Sequence, residues 1–444
     1  MKQVVVTILG TIGANSPKSS YLKGEVEEIK EGKYINALPV LIESYPDADI
    51  IPIFTPQARK KQEEVLKAEK KEKWLKIFDK GEEIKNEKDF DALFSTFHKI
   101  FDKYREREFV VDVTHGFRHL PLLLLIELLI KNFQETGKIS RILFAKELEK
   151  VNWGEQKGGK FEFIDLKSYL ELANVAFILG NFRENYTLSS HIPLGVEFEG
   201  LTRALDNFSH DILVFNISRL FDESVPQLKR ELEKIRTKPS IQRQVEEFLE
   251  DLETNFTRYP DEPQFYRYYR LAKLLYQKGY LLNSLTLLNE SVRFFLSHLL
   301  KQREPELMEK AIEGLREVSQ KRGIPYSDYI LGDFAMKIFK ANPTKRDKMR
   351  ENYNSLRSEL KQRLGLGDFY RLVRAIPFQP FKKWQNCPYN PPRLQASLFE
   401  CITYARNTFA HANRQNRFAD IKRDIRELFK RYYAQIEPYL GEVK

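Results

Sequence analysis

Apolar positions along the chain fall into two regimes. In the first third, short unbroken apolar runs alternate with charged stretches. Residues 4–9 form a β-branched run that ends in Gly10-Thr11-Ile12-Gly13, the pattern of a buried parallel strand feeding a tight loop. Residues 50–54 end at Thr55-Pro56, residues 109–113 pass into Thr114-His115-Gly116, and residues 141–145 follow Gly137. Between these strands, the charged segment 58–78 predicts one helix and the apolar stretch 120–130 a buried one. The glycine pair Gly158-Gly159 predicts a hairpin between Val151-Asn152-Trp153 and Phe161-Glu162-Phe163, closing the region near Asp165. This alternation predicts an α/β Rossmann-like N-terminal domain with a mostly parallel sheet and helices on both faces.

Beyond Leu166 the strand signals fade and the pattern becomes helical to the end, interrupted at Pro193, Pro226, Pro239 and the proline-rich stretch 377–392. The clearest helical segments are 271–300, with Tyr280, Leu281, Leu285, Leu288 and Val292 at helical spacing, and 397–439. No internal repeat or low-complexity tract interrupts them. A chain of 444 residues exceeds one ordinary core. The expected division is 1–165 for the Rossmann-like domain, 166–259 for a helical connecting region and 260–444 for a C-terminal helical domain.

Charge sharpens this picture once it is located. The net charge is +10, but residues 341–444 hold 21 Lys+Arg against 10 Asp+Glu, or +11, and residues 1–340 hold 52 against 53, or −1. A basic field confined to one region draws a polyanion there. Tyr353, Tyr370, Phe381, Trp384, Tyr389 and Tyr404 interleave with these charges, as stacking on unpaired bases requires, although such aromatics also build cores. The charged fraction of 31% leans toward a thermophilic composition. Two cysteines, Cys387 and Cys401, without a signal-peptide pattern, exclude a disulfide framework or a CxxC metal knuckle and predict a reducing cytoplasm. The apolar stretch 120–130 contains Pro121 and Glu127 and falls short of the roughly 20 residues that a membrane span needs.

Two loops at strand ends carry chemistry. In open α/β sheets ligands bind beyond the carboxyl ends of the strands. The loop from Gly10 to Ser16 offers Gly10, Thr11, Ile12, Gly13 and Asn15. The loop from Asp112 to Arg118 offers Asp112, Thr114, His115, Gly116 and Arg118 at the mouth of a helix whose amides favour anions. A phosphate-bearing ligand fits that set. The same residue types also serve as caps, Asp112 and Thr114 for the following helix, with His115 and Arg118 satisfying neighbours. Neither loop is a dinucleotide, Walker or nucleophile-elbow motif, and no HExxH pair or carboxylate cluster stands out for a metal.

Near the other end lies Arg406-Asn407-Thr408-Phe409-Ala410-His411. Asn407 and His411 share a helical face, while Arg406 is offset from His411 by about 140°. Two copies around a two-fold axis can assemble one cleft from such motifs. An imidazole can take the proton of a ribose 2′-hydroxyl or protonate the leaving 5′-oxygen, a guanidinium stabilises the phosphorane, and Asn407 can orient either partner. No metal is required for that chemistry.

Together the two motifs, in this order and at opposite ends, resemble those of the CARF-HEPN ribonucleases, ancillary effectors of type III CRISPR systems. Asp112-Val113-Thr114-His115-Gly116-Phe117-Arg118 is similar to the CARF nucleotide-sensing motif. Arg406, Asn407 and His411 follow the HEPN pattern. The resemblance implies a homodimer, open to higher assembly, whose CARF domains bind one cyclic oligoadenylate, cyclic tetra-adenylate first among the candidates. It also implies that the ring switches on cleavage of single-stranded RNA by paired HEPN domains, with no cofactor for catalysis and no membrane partner. Some CARF domains degrade their ring; no residue here identifies that activity. Two alternatives stand: a CARF-type regulator whose helical part binds nucleic acid without cutting it, and a dimerisation module in which Arg406 and His411 are structural.

Overall fold

The computed structural model describes residues 3–86, 89–115, 119–134, 138–188, 194–257, 261–340, 364–365, 367–368, 371–375, 397–410 and 418–440. The chain forms two compact units, Met1–Phe248 and Leu249–Lys444.

The first unit is built on an eight-stranded mixed sheet: β1 Gln3–Ile8, β2 Ser19–Leu22, β3 Gly32–Tyr34, β4 Asp49–Phe54, β5 Glu82–Glu83, β6 Glu108–Asp112, β7 Ile139–Glu149 and β8 Lys160–Asp165. Their order is β3-β2-β8-β7-β6-β1-β4-β5. Only β2–β3 and β7–β8 pair antiparallel. The four runs expected as parallel strands are β1, β4, β6 and β7. β1 is buried on both faces: Val5 joins the core under the helices Ala37–Ser44 and Pro56–Ala68, whereas Val4, Val6 and Ile8 join the core under Phe90–Lys103 and His119–Gln134. That two-sided burial is why the run is continuous rather than alternating. Both edges, β3 and β5, are only three and two residues long, which leaves little open ladder.

The structure corrects four expectations here. The stretch 58–78 is not one helix: an α-helix ends at Ala68, Lys70 takes φ 55°, and a 3-10 segment occupies Glu72–Asp79. Strand β8 pairs with β7 itself, and of 151–153 only Asn152 pairs, in an isolated bridge to Lys157. Gly158-Gly159 is therefore not a hairpin tip but a close approach. A Cβ on Gly158 would stand 1.9 Å from the Lys18 carbonyl oxygen, and Gly159 exchanges hydrogen bonds with Ser19 and Ser20. The helix His119–Gln134 buries Leu120, Leu124 and Leu128 but leaves Leu122, Ile126 and Ile130 exposed, so it is half-buried. Pro226 does not interrupt its helix, because a π turn at Leu220–Ser224 precedes Val225–Ile235 and the proline sits in the first turn.

From Lys167 to the end every described element longer than a single bridge residue is helical. In the second unit, Leu281–Arg303 is the central helix, packed by Gln264–Gln277, Asp328–Lys340, Leu398–Ala410 and Phe418–Ile436. Phe295 anchors it, fully buried with ring centroids 5.1 Å from Phe265, 5.2 Å from Tyr439 and 6.3 Å from Phe399 and Tyr432. Ser397 and Glu400 form a capping box at the start of Leu398–Ala410: each side chain accepts the other's backbone N–H. Cys401, buried in this helix, is disulfide-bonded, and one such bond is not a framework of bridges. Cys387 lies outside the described residues. Among the described residues no helix is long and apolar enough to cross a membrane.

Candidate functional site

In the first unit, β1 stands between β6 and β4, so the carboxyl ends of β1 and β6 are neighbours and their loops leave the sheet side by side. Thr7 and Asp112 face each other in the register and cross-link the two strands, the Thr7 hydroxyl donating to Asp112 Oδ2 at 2.7 Å. Asp112 is wholly buried, and its Oδ1 also accepts from the Thr114 amide at 3.1 Å and hydroxyl at 2.5 Å. The Thr114 hydroxyl in turn accepts from the Ala145 amide at 2.9 Å. Both residues are thus committed to the loop's interior: Asp112 lies under the loop, and Thr114, half-buried, ties it to β7.

His115 is half-buried, and its Nε2 accepts from the Ala37 amide at 3.3 Å, at the first turn of the helix Ala37–Ser44. A ring nitrogen that accepts an amide proton is unprotonated. Burial pushes this imidazole below its ordinary value, with the Asp112 charge opposing. His115 therefore offers a neutral ring rather than a cation. Gly116 and Arg118 lie outside the described residues.

The β1 loop is held from beneath by two buried side chains that the sequence did not single out. Gln62 Nε2 donates to the Gly10 carbonyl at 2.8 Å and the Ile12 carbonyl at 3.1 Å. Asn36 Nδ2 donates to Gln62 Oε1 at 2.9 Å and to the Ile12 carbonyl at 3.4 Å, while its Oδ1 caps the Leu38 amide. Thr11, Ile12 and Asn15 are exposed, Gly10 and Gly13 half-buried. Consecutive residues Asn36 and Ala37 thus touch both loops, one through Ile12 and the other through His115. A signal for Gln62 was present: it shares a buried helical face with Ala58, Val65 and Leu66, where a polar residue needs a partner. Asn36 ahead of Ala37-Leu38 is an ordinary N-cap signal.

In the second unit, Arg406 is half-buried near the end of the helix Leu398–Ala410 and donates through Nη1 to Oδ1 of exposed Asn407 at 3.1 Å. His411 lies outside the described residues, as do Tyr353, Tyr370, Phe381, Trp384 and Tyr389; Tyr404 is exposed. Thr403 pins this helix to the central one by donating to Asn289 Oδ1 at 2.8 Å. The next residue, Glu290, is a carboxylate that sequence reasoning missed. Burial pushes it above its ordinary value, against the opposing charges of Arg293 and Arg406. Its signal was a polar Asn289-Glu290 pair set between the apolar Leu287-Leu288 and Val292.

No protein-family model matches the chain, and no curated protein matches it. Among solved structures it is similar to "Enterococcus italicus Csm6 bound to cyclic hexa-2'-fluoro-hexa-dAMP", at 13% identity and a TM-score of 0.37, over 98% of this chain and 94% of that one. At that TM-score the likeness carries no argument, and any functional reading rests on the residues of this chain.

Proposed function

We propose that this protein is a metal-independent endoribonuclease of the CARF-HEPN type, acting on single-stranded RNA in type III CRISPR defence and switched on by a cyclic oligoadenylate. Residues 1–165 serve as the sensor, 166–259 as a connecting region and 260–444 as the HEPN ribonuclease domain, working in the cytoplasm as a homodimer. The observation that carries the reading is the convergence of the Gly10–Gly13 and Asp112–His115 loops at the switch point between β1 and β6, where doubly wound sheets bind nucleotides. It supports the sensor half, and the Arg406-Asn407-His411 motif within the basic quarter supports the ribonuclease half.

In this mechanism His411 assists proton transfer as the 2′-oxygen attacks phosphorus and the bond to the 5′-oxygen breaks. Arg406 stabilises the added negative charge, and Asn407, already bonded to Arg406, fixes its guanidinium. Activation requires the ring to bind the active arrangement better than the resting one. The test is cleavage of single-stranded RNA in EDTA, with and without cyclic tetra- or hexa-adenylate. Ring-dependent cleavage that disappears in His411→Ala is expected. Unchanged cleavage in that variant sinks the site assignment, and nucleic-acid binding without cleavage by the wild type turns the reading to a non-cutting regulator.

A further inference from the structure

The polar pair beneath the β1 loop has a directional consequence. Among the described residues all peptide units are trans, so each carbonyl and the following N–H point in opposite directions. Gln62 draws the Gly10 and Ile12 carbonyls inward, which turns the N–H groups of Thr11 and Gly13 away from the core. Outward backbone amides in a glycine loop are an anion-binding concavity. One residue earlier on the same helix, Lys61 runs its stem across Gly13: a Cβ there would stand 2.9 Å from Lys61 Cδ and 3.7 Å from Nζ. The absence of a side chain at Gly13 is what lets the ammonium reach the loop. Its Glu64 partner, at 3.3 Å, is a surface contact that a phosphate can outcompete, since both side chains are about 40% exposed.

We propose that Lys61 contacts a phosphate of the ligand at the Gly10–Gly13 loop and that Gln62, held by Asn36, is the positioning residue that keeps the loop's amides turned toward that phosphate. This rests on the reading of the loop as a cyclic-oligoadenylate sensor. His115, being neutral, does not supply the positive charge a phosphate requires at this end of the sheet, and Lys61 does.

The positioning role has a signature that mere packing lacks. In Gln62→Glu, the oxygen facing Asn36 is retained, but the group facing the Gly10 and Ile12 carbonyls becomes an acceptor when ionised and a donor when protonated. Burial raises such a carboxyl, so protonation falls within an accessible pH range. The experiment is equilibrium binding of cyclic tetra-adenylate and cyclic hexa-adenylate to the full chain, from about pH 8 to about pH 5.5, for wild type, Gln62→Glu and Lys61→Met. Gln62→Glu is expected to bind about tenfold or more weakly than wild type at the upper pH and to recover most of the deficit at the lower, with Lys61→Met about tenfold weaker throughout. If Gln62→Glu does not fold, Lys61→Met decides, because its side chain is partly exposed and bears on no core. Wild-type binding with both variants unchanged, or a Gln62→Glu deficit that is the same at every pH, overturns the inference alone. A wild type that binds neither ring removes the sensor reading and this inference with it.

Discussion

Replacing Thr7 with Val tests the β1–β6 cross-link beneath the two strand-end loops. Valine matches threonine in shape, so the substitution removes one hydroxyl and leaves the packing alone. Thr7 is 1% exposed, and its hydroxyl donates at 2.7 Å to the carboxylate of Asp112, a residue that is 0% exposed. A hydrogen bond to a charged group contributes about 1.5–3 kcal/mol, and Asp112 keeps its two Thr114 donors, so the loss stays within that range and does not become a stranded charge. The assay is native-state amide hydrogen exchange of the segments Gln3–Ile8 and Glu108–Asp112 in the full chain, which follows local opening without assuming that the whole protein unfolds in one step. Exchange there should accelerate about ten- to a hundredfold, with Thr7→Ser far closer to wild type. Exchange within twofold of wild type in Thr7→Val would refute the cross-link.

Other consequences follow from single positions. Gly158→Ala drives a Cβ into the Lys18 carbonyl and should strip exchange protection from Ser19–Leu22 while sparing β4; intact protection at β2 would contradict the close approach. Phe295→Ala should cost about 3–5 kcal/mol in chemical denaturation of the second unit's transition, a loss under about 1 kcal/mol being incompatible with its ring contacts. His115 adds a pH dependence with a definite sign. Its folded value is held below the usual 6.5, so as pH falls past 6.5 the unfolded chain takes up a proton that the folded chain refuses. Its stabilising contribution is full above that pH and is lost as pH falls through the folded value. His115→Gln, which can still accept from Ala37, should flatten the fall in thermal midpoint between about pH 7.5 and pH 5; an identical slope would contradict the neutral, half-buried ring.

The strands that position the site were legible because burial on both faces writes a continuous apolar run, as in residues 4–8 and 109–111. The short edges were not. β5 is two glutamates whose pairing comes from the main chain, and β2 and β3 show too few residues for a period to register. Likewise the sequence pointed to the loops but not to what steers them. Gln62 lies among Lys60, Lys61, Glu63 and Glu64, where nothing in local composition separates a buried amide from a solvated face. Only the helical phase of Ala58, Val65 and Leu66 does so. Asp112 presents the reverse case. Its type suggested contact with ligand, and the structure places it wholly buried, accepting from Thr7 and Thr114. The break at Lys70 has no breaker residue to announce it, since a lysine in the left-handed region is a choice made by tertiary packing.

The central claim is that this chain cuts RNA by attack of the 2′-hydroxyl when a cyclic oligoadenylate is bound, and the ends of the products report it most directly. Single-stranded RNA incubated with the full chain, EDTA and cyclic tetra- or hexa-adenylate should yield fragments with 2′,3′-cyclic phosphate and 5′-hydroxyl ends by mass spectrometry. Arg406→Ala and His411→Ala should yield none, and a substrate of 2′-deoxynucleotides should stay intact. Fragments with 5′-phosphate ends, or intact RNA whether or not either ring is present, would contradict the account.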